Sequence, residues 1–161
     1  MVSRGRTARS RGPGVPGREP IRYIAGVQTT VEPSEVGLPA GASPVAVATG
    51  GGRTAFASDD GLAICTGTPQ AFDCLSYGDD LDDELGSPEV LAVVVLDDGT
   101  VVASGEGGLF VVSPAGQFSV YDGGDWNGED RVNDLDLDAA GVVWMARGTR
   151  GWHHLARDAE R

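Results

Sequence analysis

Six side chains able to bind a ligand fall where the chain should turn: Asp59, Asp60, Glu106, Trp126, Arg147 and Arg150. Asp59-Asp60, Glu106 and the Arg147/Arg150 pair occupy one recurring place, between the second and third strands of three similar units. Guanidinium groups at 147 and 150 can clamp a carboxylate or a sugar acid through paired N–H donors. Surface ion pairs are the plainer role for the same residues. Trp126 lies in the loop Asp125–Asp130, which has the oxygen donors and the glycine of a calcium loop. It lacks the Asp-x-Asp-x-Asp-Gly spacing and the later bidentate glutamate, so solvated carboxylates are expected there. His153 and His154 are neighbours on one strand and therefore point to opposite faces, which prevents joint chelation of a metal. No Ser-His-Asp or Cys-His set can be placed, and Gly105-Glu106-Gly107-Gly108 does not open a helix that could cradle phosphate. No catalytic residue, metal or cofactor is therefore expected. Cys65 and Cys74 flank a hairpin symmetrically; a cross-strand disulfide and two buried thiols both fit.

The elements that position these residues are short strands. Val132-Asn133-Asp134-Leu135-Asp136-Leu137-Asp138 ends in strict alternation, leucines on one face and aspartates on the other. Val142 to Ala146 resumes after a turn with apolar residues on both faces, and Trp152 to Leu155 begins a third strand. Two upstream copies follow the same plan. One runs from Val45 to Tyr77, with turns at Gly50-Gly51-Gly52 and Asp59-Asp60-Gly61. The other runs from Val90 to Tyr121, with turns at Asp97-Asp98-Gly99 and Gly105 to Gly108. The landmarks Gly61, Gly108 and Gly151 recur at separations of 47 and 43 residues. A period in the 40s with four strands per unit is a propeller signature. Between the first two copies, Gly78 to Glu84 reads as an acidic loop with five carboxylates.

The bulk composition agrees. With 25 glycines in 161 residues, the chain suits many tight turns and leaves little room for long helices. No apolar run reaches the 18 or so residues of a membrane helix, and no secretory signal is visible. The net charge of −12 conceals two regions. Residues 1–22 carry six arginines and one glutamate, while the remainder holds six arginines against 23 acidic residues, a net of −17. An acidic body has no basic groove with which to displace counterions from phosphate, so no nucleic-acid partner is expected. Lysine is absent, as a GC-rich genome would favour.

The units resemble the two-component regulator propeller repeat: Gly-Leu-Pro, strand, Asp-x-x-Gly, a strand with tryptophan, then a glycine turn. Gly37-Leu38-Pro39 matches the first part, and Asp138-Ala139-Ala140-Gly141-Val142-Val143-Trp144 the middle, with one extra residue before the tryptophan. Phe56 and Val102 stand at the tryptophan position of the other copies. The resemblance implies an all-β chain forming a partial β-propeller of about three four-stranded antiparallel blades. Expected boundaries are a basic tail at 1–20, a repeat domain at 21–157 and a short tail at 158–161. Blades fall near 44–77, 89–121 and 131–155, with 21–31 as an extra strand that could complete the last blade. A parallel β-helix fits less well, because its coils are usually shorter. Three blades are too few for a ring, so the expected partner is a second copy or the remainder of a larger propeller. The resemblance implies a non-enzymatic module for a small-molecule, glycan or protein ligand in signalling. The alternative is part of a glycan-active hydrolase or lyase. Signalling would depend on a partner or on further sequence, and catalysis on convergent carboxylates or a metal in the channel, for which the sequence shows no convincing set.

Overall fold

A computed structural model describes residues 30–122, 131–148 and 151–155. The basic tail, most of the extra strand at 21–31, the short C-terminal tail and the loop Asp125–Asp130 lie outside these residues. The described chain is mostly β, in three small antiparallel sheets of four, four and three strands.

Sheet 1 is a meander of β1 (Pro44–Gly50), β2 (Arg53–Ser58), β3 (Gly61–Thr68) and β4 (Ala71–Ser76). Sheet 2 repeats it with β5 (Ala92–Val95), β6 (Val101–Gly105), β7 (Gly108–Val112) and β8 (Phe118–Tyr121). Sheet 3 has β9 (Val132–Leu137), β10 (Val143–Arg147) and β11 (Gly151–Leu155), with β10 in the centre. The three landmark glycines open the third strand of each sheet and have φ of 138°, 137° and 100°. Backbone of this kind strains an L side chain, which explains why glycine returns at that place. Gly51 has a second reason. A Cβ there would strike the backbone of Gly99, where the first turns of sheets 1 and 2 meet.

Burial follows from the stacking of the sheets. Ala55, Ala57, Leu62 and Ile64 of sheet 1 pack with Val93, Val95, Val101 and Phe110 of sheet 2. The other face of sheet 2, through Ala92, Val94, Val102 and Leu109, packs on Val132, Leu135, Val143 and Met145 of sheet 3. Strand β5 is thus covered on both sides, and this requires its unbroken apolar run. Val142 to Ala146 reads the same way in the sequence, yet only one of its faces is covered. Trp144 stands on the other side and remains 42% exposed, because no sheet of the described chain lies beyond sheet 3.

A second departure concerns Gly78 to Glu84, expected as a loop. It is helix α1 (Gly78–Leu85), closed by Gly86 in a left-handed conformation at φ 74°. Leu81 and Leu85, one helical turn apart, are buried and anchor it, while aspartates in the first turn favour the helix dipole. Five carboxylates masked those two apolar anchors. At the outer side of sheet 1, a strap containing a 3-10 helix (Pro33–Val36) covers β3 and β4 through Val36, Leu38 and Ala42. Among the described residues, no helix is long and apolar enough to cross a membrane.

Candidate functional site

In a meander, turns alternate between two edges of the sheet. The β1–β2, β5–β6 and β9–β10 turns share one edge; the β2–β3, β6–β7 and β10–β11 turns share the other. Contacts between sheets bring equivalent edges together. Arg53, just after the β1–β2 turn, donates to the carbonyls of Gly99 (3.1 Å), Ser113 (3.0 Å) and Pro114 (2.6 Å) on two turns of sheet 2. On the other edge, Arg131 before β9 forms an ion pair with Glu106 in the β6–β7 turn.

The second edge carries four of the six ligand candidates, each held in its own local setting. An Asp59 carboxylate oxygen accepts the Ser43 amide at 2.6 Å, and the Asp59 amide donates back to the Ser43 carbonyl at 3.1 Å. The Asp60 amide donates to the Ser58 hydroxyl oxygen at 3.2 Å, and the Ser58 hydroxyl donates to the Gly61 carbonyl at 3.0 Å. Glu106 is engaged by Arg131. Arg147 is buried and falls on the same side of β10 as Val143 and Met145, facing the interior between sheets 2 and 3. Trp126 and Arg150 lie outside the described residues. Asp60 also borders a hollow of about 420 Å³ shared with Pro39, Ser76 and the α1 residues Asp79, Asp80 and Asp82. The edge is therefore a row of turns spread over three sheets. Among the described residues, no three His, Cys, Asp or Glu side chains gather as a metal site.

Cys65 and Cys74 are direct cross-strand partners on β3 and β4, with Cα atoms 4.1 Å apart, and they form a disulfide. This spacing is close to that of a non-hydrogen-bonded antiparallel pair, where side chains approach most nearly. The bond sits beneath the strap, with Cys65 buried beside Val36 and Ala63.

The first edge is built for structure. An Asp138 carboxylate oxygen accepts the amides of Ala140 (2.8 Å) and Val142 (3.0 Å), shaping the β9–β10 turn. Its other oxygen accepts the Trp144 indole N–H at 3.0 Å. These bonds, the indole bond foremost, hold the Asp138 carboxyl below its ordinary pKa by favouring the charged form. Between sheets 1 and 2, the Tyr77 ring is buried against Phe110, and its hydroxyl donates to the Gly116 carbonyl at 3.2 Å. Burial raises the Tyr77 pKa, with Arg53 opposing.

Sequence reasoning missed the outer face of sheet 3. Trp144, Trp152 and His154 project there beside Asp134 and Asp136, all exposed. The aspartate alternation on β9 was the available signal. The tryptophans could join it only once strand register was known. No protein-family model matches the chain, and no curated protein does.

Proposed function

We propose that the chain is a non-enzymatic binding module made of three propeller-type blades, with its ligand site on the edge that carries Asp59, Asp60 and Glu106; the inward-facing Arg147 is not part of it. The supporting observation is the repeated antiparallel meander, with corresponding edges of successive sheets in contact. Function in such a design comes from what the turns present, since the strands are occupied with packing. A small molecule or a glycan is the ligand class, in keeping with the sensory propellers that the repeat resembles. The Cys65–Cys74 disulfide supports an oxidising compartment.

The apolar side of sheet 1 provides the packing partner's surface. Val45 and Val47 project from β1 into a groove of about 330 Å³ bordered by Val36, Leu38, Pro44 and Phe56. We assign this surface to a second copy of the chain.

The test of the ligand site is a calorimetric screen of sugar acids and neutral oligosaccharides, run beside a turnover assay on polysaccharides. Saturable binding that Asp60→Asn or Glu106→Gln weakens, without product formation, is the expected result. Product formation would move the reading to a glycan-active enzyme. Binding that ignores both substitutions would remove the site from this edge.

A further inference from the structure

The outer face of sheet 3 has a pattern that packing does not explain. Register places its side chains in two rows across three strands. One row is Asp136, Trp144 and His154; the next is Asp134, Ala146 and Trp152. Members of a row are direct cross-strand neighbours, roughly 5 Å apart at Cβ, and diagonal members are about 7–8 Å apart. Ala146, half-buried, is the low point, with Trp144 two residues before it on the same strand and Trp152 and Asp134 at its flanks, each diagonal to Trp144. Trp152 is 82% exposed and Trp144 42%, a costly position for two of the largest apolar side chains. Trp144 is also fixed in orientation, by Asp138 at its N–H and by His154, whose ring centroid lies 5.4 Å away.

The inner faces of the stack show what a packing surface looks like in this protein. There the equivalent positions are Val93 and Val95, or Ala92 and Val94. On β9 they are Asp134 and Asp136, whose desolvation under another apolar sheet would be unfavourable. This face is thus chemically distinct from a blade interface. Indole faces attract cations through their quadrupole, and a carboxylate beside them adds direct Coulomb attraction. An alanine floor leaves space for the cationic head.

We infer that the outer face of sheet 3 is a binding site for an organic cation, an alkylammonium or guanidinium group seated over Ala146 between Trp144, Trp152 and Asp134. This site is separate from the edge proposed above. Charge complementarity selects the occupant. The face offers two carboxylates and two indoles, and the protein as a whole carries −12.

The experiment follows the tryptophan indole N–H signals by heteronuclear NMR at constant ionic strength. Choline, its neutral isostere 3,3-dimethylbutan-1-ol, and N-acetyl-arginine amide are titrated in turn. Trp144→Phe and Trp152→Phe assign the signals. A saturable shift of both indoles is expected with at least one cation, at about tenfold lower concentration than with the neutral isostere. Stronger binding of choline identifies a small quaternary amine as the source; stronger binding of the arginine derivative identifies a peptide side chain. Trp152→Ala and Asp134→Asn should each weaken binding severalfold and leave the rest of the spectrum in place, since both residues are exposed. Equal binding of the isostere, undiminished binding by Trp152→Ala, or no saturable shift with either cation into tens of millimolar would overturn the assignment.

Discussion

Asp138 illustrates how one side chain can organise a turn and a neighbouring surface together. Its two oxygens receive two backbone amides and one indole N–H, so the charged form is the stabilised form. A carboxyl whose pKa is depressed in the folded state adds stability that is complete above its unfolded pKa. That stability disappears as pH falls through the folded value. The unfolded value lies near 3.9, and the folded one lies lower. Thermal midpoints of the protein and of Asp138→Ala should therefore differ by a constant amount from about pH 7 to about pH 5. The gap should narrow below about pH 4, as both carboxyl-bearing states become protonated. A gap that stays unchanged to pH 2.5, roughly a unit and a half below the unfolded pKa, would mean that Asp138 contributes through shape alone.

The third and fourth strands of sheet 1 form the element in which covalent and apolar constraints coincide. The disulfide closes a separation of nine residues and lies beneath the strap residues Val36, Leu38 and Ala42. Constraining so short a loop in the unfolded chain stabilises by about 2–3 kcal/mol. Cys74→Ser with Cys65→Ser should lower unfolding free energy by that amount in urea. The buried Cys65 also implies slow reduction in the folded protein. Reduction of the native protein at the rate of an exposed model disulfide would show that the strap opens readily. Helix α1 makes a related point. Eight residues are too few for a helix to persist alone in water, and Leu81 and Leu85 hold it by packing.

Across the molecule, three sheets are stacked through two apolar interiors, and the two ends of the stack differ. Sheet 1 ends in an apolar groove with Val47 63% exposed; sheet 3 ends in carboxylates and indoles. Light scattering of the purified chain should give the mass of a dimer, and Val47→Asp should give a monomer with unchanged far-ultraviolet circular dichroism. A monomeric parent chain at tens of micromolar would instead remove the second copy from this groove. The Arg53 clamp, three carbonyls on two turns of the next sheet, supplies rigidity between sheets 1 and 2 whichever partner covers the groove.

Strands, turns and their recurrence are local matters, and the sequence determined them. Glycine had to stand at 61, 108 and 151 because the backbone there takes positive φ. Asp138 and Gly141 wrote their turn in hydrogen bonds that span four residues. The cysteine pairing was half legible, since spacing set the two residues opposite each other while redox state stayed open. What the tertiary structure alone decided is which faces meet. Helix α1 depends on two leucines finding a core that distant strands create. Arg147 turned inward because β10 packs on sheet 2 through its odd-numbered positions. Trp144, Trp152 and Asp134 became neighbours through the register of three strands. Alternation in one strand gives each side chain a face. Only the pairing of strands and the stacking of sheets determine which of those faces remain in water.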